Sequence, residues 1–467
     1  LSKRTVKKLI TSPLAAAMKA IKTKLGYDAV KSNPRRRNAS VSTKSEDREL
    51  TVAGRQALSS MGRDLVRNLS LAGFVLRTHN QTVATLNFKC AIPNQAEYNE
   101  LVKRWMYHWS HRSQCDVSSR HSLTALMTLA ETHRVIDGDV GILKCRNGKL
   151  QIIEGDRIRN PATDTRGDTY EWIHGVKVGN AGQAYRYAIH QRKEGGGFEF
   201  EREVSAEHLI LCGYFNRIDQ IRGVSLLAPA INQFRDVYES IDYALAKAKL
   251  SQLLGFKTTR LDDTELTEDG LTEAITNLGA GAIHFDLRQD EDAAMIESQT
   301  PATQFQDFLQ NVIRIAFAAL DIPLEFLMPN IANYYSNRGA LDRYIDSCRK
   351  KQEGLIDALN EITDWRIRMA IADGDLPPPP GGMDIEEMLW WCDWEGARLP
   401  HWRMIEDAKD TLTAIQCGLT SSKKSARLYG NDFDENIIET AEANRMAEEH
   451  GVFLAFTQPI ASINIGT

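Results

Sequence analysis

Apolar residues recur every three or four positions through much of the chain, and that rhythm predicts helices. Leu58, Leu65, Val66, Leu69 and Leu76 predict one helix over 50–78, and 94–111 and 123–135 read the same way. After Gly223, the series Leu227, Ile231, Phe234, Tyr238, Ile241, Leu245 and Ala248 steps by three or four. It predicts one helix of about 30 residues, ~45 Å long at the helical rise. Phe305, Phe308, Leu309, Val312, Ala316 and Ala319 predict a second, ended by Asp321-Ile322-Pro323. Leu341, Tyr344, Ile345, Cys348, Leu355, Leu359 and Ile362 predict a third, stopped ahead of the Pro377–Pro380 and Gly381-Gly382 linker. From about residue 400 the pattern is helical again.

Between the first helices and Gly223 the period shortens to two. Asn147-Gly148 between Ile142–Cys145 and Leu150–Ile153 predicts a two-residue hairpin. Further strands are expected at Glu171–Val178, Ala184–Gln191, Phe198–Val204 and His208–Cys212. The fold class is therefore α+β, with a small, mostly antiparallel sheet.

Charge changes the picture more than composition does. The 467 residues are 42% hydrophobic and 25% charged, which fits a folded chain, and the net charge of −5 argues against a tight, uniformly basic nucleic-acid binder. That sum hides two blocks. Residues 1–48 hold 13 Lys/Arg against 3 Asp/Glu, including Arg35, Arg36 and Arg37. Residues 261–297 hold 11 acidic residues against the single Arg288. Such blocks repel their own copies and attract opposite partners. The basic arm has two readings, a solvated tail or a segment lying on an acidic surface or nucleic acid. The acidic block reads as a solvated loop or as a docking face for a basic protein.

Enzyme chemistry is hard to place. No G-x-x-x-x-G-K-[ST], G-x-S-x-G or H-E-x-x-H pattern occurs. The seven cysteines are dispersed and read as free thiols in a reducing compartment. His108, His111 and Cys115 have ligand types on one helical face but no fourth partner, and Asp290-Glu291-Asp292 lacks a Lys or His to activate water. Trp390, Trp391 and Trp394 read as a packed contact rather than a platform for stacking bases. No apolar run approaches the length of a membrane span and no signal peptide is expected. Neither a metal, a cofactor nor a catalytic set is expected.

Several segments together resemble the portal proteins of tailed bacteriophages, in their lambda-type branch. They are Ile221-Arg222-Gly223-Val224-Ser225 with Leu227-Ala228-Pro229, the helix Phe305–Leu320 with its exit Ile322-Pro323-Leu324-Glu325, and Asn333-Tyr334-Tyr335-Ser336-Asn337-Arg338. Ile405-Glu406-Asp407-Ala408-Lys409, Gly418-Leu419-Thr420 and Tyr429-Gly430-Asn431-Asp432 follow in the same order. The likeness covers roughly 50–445; the basic arm lies outside it.

The resemblance implies a division of the chain. Residues 1–49 would be a basic arm, 50–223 an α+β wing, 224–254 and 303–320 two stem helices, and 255–302 a clip between them. Residues 321–338 would form a tunnel loop, 339–399 a long helix and a linker back to the wing, and 400–467 a mainly helical crown. It implies a dodecameric ring at one capsid vertex, assembled in the host cytoplasm and carried in the virion. Double-stranded DNA would pass through it without sequence preference. A terminase motor, then head–tail connector or adaptor proteins, would dock on it, and the major capsid protein would surround it.

Asn330, Asn333, Tyr334, Tyr335, Ser336, Asn337 and Arg338 would touch DNA in the channel. Asp262, Asp263, Glu265, Glu268, Asp269, Asp290, Glu291 and Asp292 would present the acidic docking face. Two other readings compete. One is a metal-dependent DNA-processing enzyme using the acidic clusters. The other is a non-viral oligomeric scaffold binding a basic partner through 261–297.

Overall fold

The computed structural model describes residues 44–161, 170–252, 256–260, 291–295, 303–327, 334–396, 404–428 and 433–452. Contacts divide the chain into Leu1–Glu49 and Leu50–Thr467. Of the first unit, the described part ends in a helical turn, Glu46–Glu49.

The second unit opens with α1 (Val52–Asn68) and α2 (Ser70–Val83). Thr51 caps α1, its Oγ1 accepting from Gly54 N at 3.1 Å. One helix was expected here. Instead the chain turns a corner at Leu69, whose backbone is extended (φ −110, ψ 113). Leu69 keeps its place in the apolar rhythm and is buried on both accounts, so spacing alone conceals the corner. After β1 (Leu86–Cys90) come α3 (Ala96–Trp109) and α4 (Leu123–Asp137), the latter capped by Ser122 and stopped at Gly138.

The strands between α4 and Gly223 pair antiparallel. β2 (Asp139–Lys144), β3 (Leu150–Glu154) and β8 (Leu209–Gly213) form a three-stranded sheet in the order β3-β2-β8. β4 (Glu171–Ile173), β5 (Val176–Val178), β6 (Ala184–Arg192) and β7 (Phe198–Ser205) form a second sheet. The one sheet expected is thus two, packed through Leu143, Ile153, Ile158, Val176, Tyr187, Ile189 and Leu209. The α+β class stands.

Two turns depart from expectation. Cys145 N donates to Lys149 O and Gly148 N to Cys145 O, so the β2–β3 loop is longer than two residues and closes through Gly148 at φ +74. The single strand expected over Glu171–Val178 is a hairpin, because His174 and Gly175 both take positive φ (46 and 88) and reverse the chain.

A 3₁₀ turn, Ala228–Ala230, carries Pro229 at its start and leads into α5 (Ile231–Gln252). This helix has 22 residues, shorter than expected, because proline sets its entry after Leu227. β9 (Phe256–Arg260) and β10 (Glu291–Met295) pair antiparallel, and α6 (Thr303–Phe317) returns. α7 (Tyr334–Asp373) has 40 residues, ~60 Å of helix, and packs on α2 and β8. Tyr344, Cys348, Leu355, Leu359 and Ile362 on its expected apolar stripe are buried.

Beyond the proline linker, α8 (Ile385–Leu389) leads into β11 (Cys392–Gly396), which pairs with β1. That ladder splits the tryptophan cluster. Trp394 is buried against Phe88, ring centroids 5.4 Å apart, and its Nε1 donates to Thr363 Oγ1, while Trp390 is 83% exposed. The remaining described helices are α9 (Met404–Gln416), α10 (Ser422–Leu428) and α11 (Phe433–Glu449).

One core joins these parts. Leu76, Met106, Leu126 and Val140 share it with Phe234 and Val237 of α5, Ile313 and Phe317 of α6, and Leu355 of α7. Phe317 is fully buried, with the rings of Phe74 and Phe234 at 6.3 and 6.4 Å. Phe317→Ala is expected to cost about 3–5 kcal/mol, read as a lower urea midpoint, because it empties the point where three elements meet.

Candidate functional site

The Ile221-Arg222-Gly223-Val224-Ser225 segment lies between β8 and α5. Arg222 is 1% exposed and grips Asp139, fully buried, with two parallel bonds: Nε to Oδ2 at 2.6 Å and Nη2 to Oδ1 at 2.7 Å. Its remaining donors reach three carbonyls, Ile158 O at 3.0 Å, Gly155 O at 2.8 Å and His174 O. Burial pushes the Asp139 carboxyl upward, but the Arg222 guanidinium overcomes this and holds it below the usual range. Gly223 N donates to the same carboxylate at 2.8 Å, and Arg55 Nη1 donates to Gly223 O at 2.7 Å.

The backbones meet so closely here that glycine is required. Gly138 has φ +97, and a Cβ on it would lie 2.6 Å from Gly223 O. Beyond this contact, Val224 N donates to Tyr214 O, and Leu226 N and Ser225 Oγ both donate to Val135 O. The path into α5 is therefore bonded at successive residues to Tyr214, just past β8, and to α4.

A second buried network stands beside it. Glu131 Oε1 accepts from His79 Nε2 at 2.7 Å and from the Tyr214 hydroxyl at 2.5 Å, and Glu131 Oε2 accepts from Arg134 Nη1 at 2.7 Å. Burial lowers the His79 pKa, and its Nδ1 has no partner, so the neutral Nε2–H ring fits the site. Burial raises the Glu131 carboxyl, and Arg134 with His79 then brings it below its ordinary value.

From this root α5 runs out and α6 runs back, packed on each other and joined by the β9·β10 ladder. Each helix buries the face toward the core and leaves apolar residues open on other faces. Tyr238, Ile241 and Leu245 on α5, at i, i+3 and i+7, are 57, 43 and 50% exposed. Phe308 and Ile315 on α6 are 58 and 60% exposed. The exit of α6 is fixed too. Asp321, at φ +60, accepts from Ser347 Oγ at 2.5 Å and Lys351 Nζ at 2.9 Å, and Lys351 also donates to Leu320 O.

The structure places some of the expected site residues. Glu291 and Asp292 lie on β10, opposite Arg260 and Thr259. Asp262, Asp263, Glu265, Glu268, Asp269 and Asp290 lie outside the described residues, as do Arg35, Arg36 and Arg37, and Asn330 and Asn333. Tyr334, Tyr335, Ser336, Asn337 and Arg338, expected in a loop, form the first turns of α7. No proline or glycine breaks the run before Gly339, so the helix extends back through them.

The metal-ligand reading of His108 and His111 meets a different geometry. Their rings stand edge-to-face at 6.2 Å, and Cys115 Sγ points to Ser110 O and His121 O. Among the described residues, His133, Asp137 and Glu154 bring ligand atoms within 4.8 Å of one another. Arg63 already supplies a cation there, 2.7 Å from Asp137 Oδ2 and 3.1 Å from Glu154 Oε2. Sequence reading missed the roles of Asp139, Glu131 and Asp321. The signal for Asp139 was present as Asp137-Gly138-Asp139, which reads as a turn and not as an anchor.

A body with a helix pair rooted in its core and apolar residues left on the outer helix faces is the build of a subunit in a larger assembly. The family of phage portal proteins described as the lambda family matches residues 32–352, well over half of the chain. The chain belongs to that family: it is a phage portal protein, a structural component of the virion.

Among solved structures, it is similar to the neck of an empty gene transfer agent particle (TM-score 0.48, 13% identity, covering 81% of this chain and 93% of that one). It is similar to a chain of the native gene transfer agent virion (0.46, 13%, 82% and 99%). An HK97-family phage portal protein from Corynebacterium diphtheriae matches at 0.27 and 14%, over 62% and 82%. No curated protein matches.

Two expected outcomes follow from the root. Arg222→Ala costs about 3–5 kcal/mol by leaving Asp139 charged and unpaired in the interior, and Arg222→Lys costs less because it keeps the charge while losing the fork. Urea titration of the two variants ranks them. Acid removes stability in two stages. Below pH 6.5, the ordinary histidine value, unfolded His79 takes up a proton that the folded site refuses. Below the ordinary carboxylate values of 4.5 and 3.8, unfolded Glu131 and Asp139 protonate while the folded groups stay charged, and their contribution is lost as pH falls further through the folded values. His79→Gln flattens the first stage, read by denaturation between about pH 7 and 5, and leaves the second in place.

Proposed function

We propose that this portal protein closes into a ring, twelve-fold as the family resemblance implies, around a channel for double-stranded DNA at one capsid vertex. The single observation carrying this is the rooted, antiparallel pair α5 and α6, with Tyr238, Ile241, Leu245, Phe308 and Ile315 left exposed on faces turned from the core. Neighbouring copies set side by side would cover those residues and make the pairs into a wall. Residues 50–223 are then the wing, 255–302 the clip at the tip of the pair, and 400–467 the crown.

Charge supports a conduit rather than a clamp. Lys/Arg contacts to phosphate release counterions and hold DNA tightly, whereas a chain with net charge −5 lets it slide. The clip, with 11 acidic residues over 261–297, offers a docking face for a basic surface on the terminase motor and later on connector proteins. The segment Asn330–Arg338, whose last five residues open α7, brushes the duplex backbone without reading its sequence. The energy for packaging comes from the separate motor, so the purified ring hydrolyses no ATP.

Electron micrographs of the purified protein test the reading. Closed rings with a central hole support it; solid particles or monomers count against it. Ile241→Asp with Leu245→Asp is expected to shift native mass from ring to monomer, with an unchanged thermal midpoint because both positions are exposed. Arg338→Ala with Asn337→Ala is expected to lower DNA retention in assembled heads while rings still form, and unchanged retention would remove this segment from the channel.

A further inference from the structure

Cys90 and Cys392 are direct partners across the β1·β11 ladder. One step further on, Ala91 N donates to Trp391 O at 3.0 Å. Ala91·Trp391 is therefore a hydrogen-bonded pair, and Cys90·Cys392 is the neighbouring non-hydrogen-bonded pair. In such pairs the Cα atoms stand about 4.5 Å apart, inside the ~4.4–6.8 Å span that a disulfide needs. Phe88 and Trp394, two residues along on the same face, are packed ring to ring at 5.4 Å and hold that register.

Both thiols are free, and they are 2 and 9% exposed. Cys90 Sγ lies 3.4 Å from Asn99 Oδ1. Cys392 also lines a groove of about 540 Å³ with Asn360, Trp390 and Asp393, which gives a small reagent a way in.

We propose that Cys90 and Cys392 are a redox-active thiol pair that closes to a disulfide by exchange with a small-molecule disulfide entering through this groove. Cys392, which lines the groove, exchanges with the incoming disulfide and releases one small thiol. Cys90 then attacks the mixed disulfide at Cys392 Sγ and releases the second. One S–S bond and two S–H bonds are consumed, and one S–S bond and two S–H bonds form, so the small disulfide is reduced as the protein is oxidised.

The bond would fix β11, after α7, to β1 near the start of the wing. The neighbouring contact Lys89–Glu395 already spans 306 positions of chain, and a cross-link over so long a loop restricts the unfolded chain strongly. Its timing rests on the virion reading: the pair stays reduced inside the host and closes once a released particle meets an oxidising medium.

The test uses the full chain treated with oxidised glutathione, followed by alkylation of the remaining thiols and peptide mapping without reductant. The expected result is one cross-linked peptide pair joining Cys90 to Cys392, lighter than the two reduced peptides by two hydrogens and reversed by dithiothreitol. The thermal midpoint should rise by roughly 5 °C, and Cys392→Ser should abolish that rise. Recovery of Cys90 and Cys392 as separately alkylated or glutathionylated peptides overturns the proposal, and so does pairing of either with another cysteine. Mapping of the unmodified sequence decides the matter even where Cys392→Ser fails to fold. A chain that cross-links but forms no rings keeps this inference and loses the ring; rings without the cross-link do the reverse.

Discussion

The buried pair Asp139–Arg222 sets the geometry on which the rest depends. Two charges taken out of water cost several kcal/mol each, and mutual attraction alone does not reliably offset that. Here the offset is geometric. The guanidinium meets the carboxylate with two parallel bonds and turns its other donors to carbonyls from the turn after β3, from Ile158 just beyond that turn and from the β4–β5 turn. An apolar substitute of the same volume would leave those carbonyls unsatisfied. What the pair contributes is one position for the backbone at Gly223, on the path from β8 into α5.

That position matters because α5 and α6 act as a lever. The lever is anchored by apolar packing at its inner end, where Phe234, Val237, Ile313 and Phe317 enter the common core. It is aimed by polar contacts on both sides. Arg222, Gly223 and Ser225 fix the way in; Asp321, Ser347 and Lys351 fix the way out. Packing supplies the strength and hydrogen bonding the direction, since dispersion contacts are individually weak and non-directional while a forked arginine tolerates little rotation. A ring of such subunits needs both properties, because an angular error at each root would accumulate around the circle.

Much of this was legible in the sequence, and the misses have a common cause. The helical stripes on α4, α5, α6 and α7 could be read because their apolar spacing is local. The corner at Leu69 could not, because the residue belongs to the stripe on either side. His174-Gly175 was passed over inside an apparently continuous strand, although a glycine at that place in a strand pattern signals a turn or bulge. β1 and β11 were not expected at all: each is short, mixes polar with aromatic residues, and finds its partner some three hundred positions away. The same distance problem hid the candidate site. Arg222 was quoted as part of a motif, and its partner lies 83 positions earlier in what read as an ordinary turn.

The two long-range ladders also explain why an acidic, glycine-punctuated insertion can sit in the middle of this chain. β8 returns to β2 just before the lever leaves, and β11 returns to β1 after α7 has crossed the body. The body is therefore closed by strand pairs that use no residue between α5 and α6. Loop-closure cost rises only slowly with length, by about 0.6 kcal/mol for each doubling. The β9·β10 ladder meets the closure cost of the joining segment locally, and the root at Gly223 lies at the far end of α5.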